Sequence, residues 1–215
     1  MNLQHEAAHQ LINGMSGKGK TTLEHELVAR HPARWKFAFD TPHKREFNRL
    51  LGWPLVYDEP TLKRALFARQ PSAFISSPLY PGNRPAGFDL WIEWVYQVGQ
   101  TLPGGKLVII EEIEKTTPHQ NSPIAPAFAE MLDEGRAMMF DVLMVAQRVS
   151  TVNFAIRSTL TDIFTFHNSD PDQLDWLERE RFDRAAVEKL QRGQYIHRDR
   201  ETGKIRHLTT KPRRR

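Results

Sequence analysis

The sequence predicts an α/β fold in which helices cover both faces of a mostly parallel central sheet that ends in a C-terminal β-hairpin. Strand-like and helix-like segments alternate along most of the 215 residues, an order typical of parallel strands joined by crossover helices. The runs at 106–110 and 141–146 are apolar in the way that strands buried on both faces are. Near the end, strand-like segments at 194–198 and 204–208 flank a polar turn, which predicts the hairpin.

The first unit is a strand, a glycine-rich loop and a helix. Residues 9–13 form the strand, and the helix over 22–30 has apolar residues at 23, 27 and 28 before Pro32 ends it. The later elements follow in the same alternating way, with Asp58 and Pro60 as start signals for one of the helices. They are strands at 35–39, 72–76, 106–110, 141–146 and 162–166, and helices at 43–51, 60–69, 88–101, 125–138 and 171–181.

The loop of the first unit, Gly14-Met-Ser-Gly-Lys-Gly-Lys-Thr21, has the G-x-x-x-x-G-K-[ST] pattern of a phosphate-binding P-loop. Its glycines allow successive backbone N–H groups to face phosphate oxygens, and the helix N-terminus behind the loop favours anions. Lys20 is expected to reach the β- and γ-phosphates, and the Thr21 hydroxyl to coordinate Mg²⁺. The sequence therefore predicts an ATP-binding site that uses Mg²⁺, formed by Gly14, Ser16, Gly17, Lys18, Gly19, Lys20, Thr21 and Thr22.

Two adjacent acids end the strand at 106–110 and resemble a Walker B motif. Glu111 is expected to sit at the strand end beside the P-loop and to hold the hydrated Mg²⁺, while Glu112 polarises a water for attack on the γ-phosphate. The first acid is usually Asp, so the division of work between Glu111 and Glu112 stays open. An acidic exit from the strand without chemistry, formed by residues 111, 112 and 114, is the alternative.

Gln147, at the end of the strand over 141–146, is the candidate sensor of the γ-phosphate. A polar side chain at this strand end can bridge the γ-phosphate and the attacking water. Glu111 follows Lys20 by 91 positions, whereas GTPases usually place the magnesium acid much sooner. Small-molecule kinases generally need no second carboxylate to activate water. The pattern therefore favours an ATP-hydrolysing enzyme, although Gln147 could simply close its strand.

Composition limits the setting of the protein. There are no cysteines, which excludes disulfides and thiol chemistry. No apolar run is long enough to span a membrane, and the N-terminus lacks the layout of a signal peptide. We therefore expect a cytoplasmic protein.

Basic charge is concentrated at the C-terminal end. Residues 196–215 contain eight of the 30 Lys and Arg residues but two of the 26 acids, so the rest of the chain has a net charge of −2. Such an end suggests a polyanionic partner such as nucleic acid, or a solvated terminus. We expect a single domain at 1–208 and a basic tail at 209–215.

The stretch from Gly135 and Arg136 through the buried strand to Gln147-Arg148 is similar to that of the FtsK/HerA superfamily of DNA-pumping ATPases. Val149 and Phe140 depart from the superfamily pattern, where Pro and Gly are usual. Within the superfamily, the chain most resembles the genome-packaging ATPases of tailless, membrane-containing viruses. The resemblance implies a P-loop NTPase of RecA/FtsK-like type that works as a ring, commonly a hexamer, with double-stranded DNA in its pore. It also implies that Arg136 enters the neighbouring subunit's site as an arginine finger.

The implied function is ATP-driven, sequence-independent translocation of DNA into a preformed capsid, in the host cytoplasm or at the packaging vertex of the virion. Capsid portal or vertex proteins are possible partners. Candidate DNA-contacting segments are residues 115–120 and 198–215. Asp40, at the end of the strand over 35–39, could orient a site loop or cap a helix. Two other functions stay open, namely a small-molecule or nucleotide kinase and a nucleotide-gated phage assembly protein.

Overall fold

A computed structural model of the chain describes residues 8–40, 45–74, 84–117 and 122–211. The strands in these ranges are β1 (His9–Asn13), β2 (Trp35–Phe39), β3 (Leu55–Val56), β4 (Ser72–Phe74), β5 (Lys106–Ile110), β6 (Phe140–Ala146), β7 (Asp162–Phe166), β8 (Gln194–Asp199) and β9 (Ile205–Thr209). The helices are α1 (Lys20–Arg30), α2 (Glu46–Leu51), α3 (Glu59–Phe67), α4 (Arg84–Thr101), α5 (Ile113–Thr116), α6 (Pro126–Met138), α7 (Phe154–Ser158), α8 (Pro171–Arg179) and α9 (Arg184–Lys189).

The strands form one sheet in the order β3-β4-β2-β5-β6-β1-β7-β8-β9. β1 pairs in parallel with β6 on one side and with β7 on the other, and β5 pairs in parallel with β6. Among the described strands, antiparallel pairing is confined to β7 with β8 and β8 with β9. The mostly parallel α/β fold with a C-terminal hairpin is therefore confirmed.

The sheet is buried on both faces because its central strands are apolar at successive positions. In β6, Val142 and Met144 pack into a core with α4, α6 and α8, whereas Leu143 and Val145 pack into a second core with α1 and α2. Since successive side chains of a strand point to opposite faces, each face has its own helical cover. The helices on both faces are thus confirmed as well.

Several boundaries differ from the prediction for local reasons. α1 begins at Lys20 rather than at 22, directly after Gly19, whose backbone φ is 121°. α4 begins at Arg84 rather than at 88, and β9 covers 205–209 rather than 204–208. The predicted start signal of α3 is confirmed, because Asp58 accepts a hydrogen bond from the Thr61 amide at the helix N-terminus. Residues 43–44 and 75–76, which belong to a predicted helix and strand, lie outside the described residues.

Four short elements were not predicted, namely β3, α5, α7 and α9. β3 has two residues, and the three helices have four to six each. Segments this short do not show a full hydrophobic period, so periodicity cannot detect them. α9 instead depends on a cap, in which the Asp183 carboxylate accepts a hydrogen bond from the Ala186 amide at 3.0 Å.

The parallel topology brings the ends of β1, β5 and β6 to the same edge of the sheet. The P-loop follows β1, Glu111 follows β5 and Gln147 follows β6. Ligand sites of open α/β sheets form at this carboxyl edge. None of the described helices is both long enough and apolar enough to cross a bilayer.

Candidate active site

The loop between β1 and α1 has the backbone that phosphate binding requires. Gly14, Gly17 and Gly19 all have positive φ, at 134°, 74° and 121°, which residues with a Cβ rarely adopt. A Cβ on Gly14 would also lie 2.7 Å from the Cβ of Phe166. The Nζ of Lys20 donates to the Gly14 carbonyl oxygen at 2.6 Å, which holds the ammonium group inside the loop.

This loop opens into a cavity of about 500 Å³. Most of the predicted site residues line it, which are Ser16, Gly17, Gly19, Lys20, Thr21, Thr22, Glu111, Glu112 and Gln147. Gly14 and Lys18 support the loop through their carbonyl oxygens, which accept hydrogen bonds from Lys20 and Gly193. The structure therefore brings the P-loop, both acids and the candidate sensor to one cavity.

β6 lies between the P-loop strand β1 and the strand β5 that carries the two acids. The strand that Glu111 follows is therefore not the direct neighbour of the P-loop strand, because β6, which precedes Gln147, separates the two. Glu111 nevertheless lines the same cavity, and it is almost completely buried. The extra strand places Gln147 between the phosphate loop and the acids.

Glu112 is buried and held in a left-handed backbone conformation, with φ at 51°. Its Oε1 lies 3.1 Å from the Nζ of Lys115 and 3.5 Å from the Nε2 of Gln147. A non-glycine residue with positive φ is uncommon, and such strain concentrates at functional sites. The geometry brings the candidate base and the candidate sensor into direct contact.

Glu114 positions the backbone of Gln147. Its Oε1 accepts a hydrogen bond of 2.9 Å from the Gln147 amide. Burial raises the pKa of Glu114, while the hydrogen bond from the Gln147 amide acts in the opposite direction. The acid three positions after Glu111 thus links the exit of β5 to the tip of β6, a role that the sequence does not reveal.

Lys115, at the start of one predicted DNA-contacting segment, forms an ion pair with Glu112 in this structure. Any contact between Lys115 and a DNA phosphate would therefore compete with Glu112. Thr116 and Thr117 are buried, and residues 118–120 lie outside the described part of the chain.

A second group of acids lies behind Glu111. Glu24 of α1 is completely buried, and burial raises its pKa well above the ordinary value, helped by the neighbouring carboxylates of Glu111, Glu46 and Asp40. The two carboxylate oxygens of Glu24 are buried without a hydrogen-bond partner among the described residues. Asp40 also accepts a hydrogen bond of 3.1 Å from the amide of Phe47 in the first turn of α2, although the N-cap position of this helix is Arg45.

We expect the Glu24→Gln variant to be more stable than the parent protein above about pH 5 in the absence of nucleotide and metal. Because the pKa of Glu24 is raised in the folded state, the unfolded chain loses this proton first, and the folded state loses stability as pH rises. The thermal unfolding temperature, measured from about pH 5 to 8, should fall less with rising pH for the variant than for the parent protein. Glu201→Gln, at an exposed position, is the control and should follow the parent. Identical pH profiles for Glu24→Gln and the parent would contradict the burial argument.

Part of the predicted basic DNA-contacting end is used inside the fold. Arg198 and Arg200 both pair with Glu180, at 2.6 Å and 3.4 Å. Lys204 and Arg206 are exposed on the hairpin. The charges of Arg198 and Arg200 are therefore already paired within the fold, and DNA contact by the segment 198–215 stays a prediction.

Arg136 lies in α6, which packs against α4 and β6. Its side chain lies outside the described part of the structure, so the arginine-finger role stays a prediction. The preceding Gly135 is buried, and a Cβ there would lie 3.2 Å from the carbonyl oxygen of Phe140. This glycine therefore allows α6 to approach the start of β6 closely.

The C-terminal hairpin forms a side of the cavity that was not predicted from the sequence. Arg192, Gly193, Thr209 and Thr210 line this side. No role was predicted from the sequence for the turn at Gly193. These residues become neighbours of the P-loop only when β8 and β9 join the sheet.

The fold and the phosphate loop together define a P-loop nucleoside-triphosphatase architecture. The solved structures described next share this fold, which agrees with the resemblance found in the sequence. No family model matches the chain, and no curated protein matches it.

Solved structures with this fold include the genome packaging NTPase B204 of Sulfolobus turreted icosahedral virus 2, in complex with AMPPCP. It has a TM-score of 0.73 and 15% sequence identity over 95% of this chain and 98% of B204. VirB4 of Thermoanaerobacter pseudethanolicus has a TM-score of 0.71 and 10% identity, over 95% of this chain and 89% of VirB4. The bacterial conjugative coupling protein TrwBΔN70 has a TM-score of 0.69 and 11% identity, over 100% of this chain and 87% of TrwBΔN70. At these identities the likeness concerns the fold.

Proposed function

We propose that this protein is an ATPase that drives double-stranded DNA into a preformed viral capsid, acting as a ring of identical subunits. One observation carries the proposal, namely that Glu112 and Gln147 are in contact at the edge of the cavity that the P-loop opens into. The genome packaging NTPase B204 has the same fold over nearly its whole length. That similarity supports genome packaging as the process that ATP hydrolysis drives.

The residues of the cavity divide the work of hydrolysis. Lys20 binds the β- and γ-phosphates, and Glu112 accepts the proton of the attacking water as general base. Gln147 orients that water and responds to the γ-phosphate. Arg136 of the neighbouring subunit stabilises the transition-state charge.

Mg²⁺ fits the donor set at this cavity. Thr21 and Glu111 both line it and offer hydroxyl and carboxylate oxygens, which are the ligands that this hard cation prefers. These two residues would hold the ion, which neutralises phosphate charge when it is bound.

Hydrolysis explains the site better than the two other functions considered. A kinase transfers the phosphoryl group to a bound acceptor and has no need of a buried carboxylate that activates water. A nucleotide-gated assembly protein needs binding without fast turnover. The contact between Glu112 and Gln147 favours an enzyme that places water against the γ-phosphate.

DNA is the proposed partner, in sequence-independent contact through phosphates. Lys204 and Arg206 of the hairpin, and the arginines at 213–215, supply positive charge. Capsid portal or vertex proteins are the further partners we propose. The protein would work in the host cytoplasm or at the packaging vertex.

Fluorescence anisotropy tests the DNA contact directly. Two labelled duplexes of unrelated sequence should bind equally well, and both should bind more weakly as salt rises from about 50 to 200 mM, because binding to phosphates releases counterions. A strong preference for one sequence, or an affinity indifferent to salt, would contradict the proposal.

Phosphate should be released into solution and not transferred to an added nucleoside monophosphate, which separates the ATPase from a kinase.

A further inference from the structure

The cavity has two chemically different ends. Glu112 and Gln147 follow β5 and β6, which lie on one side of β1 in the sheet, while Arg192 and Thr210 flank β8 and β9 on the other side. The P-loop stands between them. A ligand bound across the P-loop therefore has carboxylates and an amide at one end, and an arginine and threonines at the other.

The orientation of the substrate follows from the proposed function, on which this inference rests. If water is activated by Glu112, the γ-phosphate must lie at the end of the cavity formed by β5 and β6. The β- and α-phosphates then follow the P-loop, and the nucleoside extends toward the hairpin. The hairpin end of the cavity is left to recognise the base and the ribose.

The backbone next to Arg192 is fixed to the P-loop. The amide of Gly193 donates to the carbonyl oxygen of Lys18 at 2.8 Å, and the Gly193 carbonyl accepts from the amide of Thr210 at 2.8 Å. A Cβ on Gly19 would lie 3.3 Å from the Cα of Gly193, so the two turns are in close contact. Residue 192 is thereby held at a set distance from the phosphate-binding loop.

The side chain of Arg192, by contrast, is exposed at the cavity wall. Within the described ranges of the chain, no hydrogen bond or ion pair involves its guanidinium group. The arginines at 198 and 200 on the same hairpin are both paired with Glu180. A planar cation on a fixed backbone is therefore available at the nucleoside end of the cavity.

We propose that Arg192, together with Thr209 and Thr210, forms the nucleoside subsite of this enzyme, and that Arg192 sets its preference for a nucleotide over a bare polyphosphate. The planar guanidinium lies against the face of the base, a contact that combines stacking with cation–π attraction. Thr209 and Thr210 offer their hydroxyl groups to the ribose and the base edge. The substrate class is a nucleoside triphosphate held at both ends.

Calorimetric titrations of Arg192→Ala with Mg-ATP and with Mg-tripolyphosphate test this subsite. ATP should bind at least about 10-fold more weakly than to the parent protein, or about 1.4 kcal/mol, while tripolyphosphate should bind with unchanged affinity. KM for ATP should rise by a similar factor, and kcat should hold. Arg192→Lys should recover little ATP affinity, because an ammonium group keeps the charge and loses the stacking plane. Arg64→Ala removes an exposed arginine of α3 that does not line the cavity, and should bind both ligands as the parent does.

The outcomes separate the subsite from the proposed function. Equal losses for ATP and tripolyphosphate would make Arg192 a phosphate ligand and overturn the proposal, as would unchanged binding of both. Full recovery in Arg192→Lys would show that charge alone matters, which also overturns it. A parent protein that binds neither ligand would instead refute the proposed ATPase function.

Discussion

Glu112→Gln is expected to lower ATP turnover at least ~100-fold while ATP binding stays intact, because the amide cannot accept the proton of the attacking water. The substitution keeps the size of the side chain, which is buried and contacts Gln147 and Lys115. The measurement is phosphate release at saturating ATP, with nucleotide affinity determined by titration on the same preparation.

Two matched variants make this result specific. Glu114→Gln alters a carboxylate of the same segment that bonds to the Gln147 amide and does not line the cavity, and should cost much less turnover. Glu111→Gln should shift the Mg²⁺ concentration required for activity, since Glu111 and Thr21 are the proposed ligands. If Glu111→Gln lowered turnover ~100-fold without changing that requirement and Glu112→Gln retained the parent rate, the two roles would be exchanged.

Arg136→Ala is expected to abolish most turnover of the assembled ring, and mixing with Lys20→Ala subunits should restore part of it. Each variant alone lacks one half of every site. In a mixed ring, a subunit with an intact P-loop can stand beside a neighbour with an intact Arg136. Random one-to-one mixing should make about a quarter of the interfaces complete, because a ring interface joins two different surfaces. Steady-state ATPase assays of the mixtures check this.

The mixing experiment includes its own controls. Lys20→Ala and Arg136→Ala assayed separately at the same total concentration set the baseline. The double variant lacks both Lys20 and Arg136, so adding it to either single variant should restore no activity. Mixtures that stay at baseline although subunits exchange would refute the role of Arg136 across the interface.

The sequence predicts the fold well where one continuous segment carries a complete hydrophobic or glycine pattern. The buried strands before Glu111 and Gln147 have successive apolar residues that point alternately to the two faces of the sheet. The P-loop glycines stand at positions where the backbone has a positive φ. These features indicate that β1, β5 and β6 end at the same edge of the sheet, because ligand sites of open α/β sheets form at the carboxyl ends of the strands. The position of β6 between the P-loop and Glu111 depends on sheet order, which local patterns do not specify.

The rest of the site depends on contacts between distant segments. Lys18 and Gly193 are hydrogen-bonded but stand 175 positions apart, so nothing near Arg192 marks it as a neighbour of the phosphate loop. Glu24 looks like a solvated acid on an amphipathic helix, yet it is buried beside Glu111. Arg198 resembles a surface cation of a basic tail until Glu180 is brought to it by the fold. Side chains of this kind acquire their roles from tertiary packing alone.

The most direct test of this account is ATP turnover per subunit, measured across a range of protein concentrations with and without linear duplex DNA. We expect turnover to rise steeply where rings assemble, since each site needs a neighbour, and to increase further when duplex is added. Full turnover by the dilute monomer, unchanged by DNA, would contradict it.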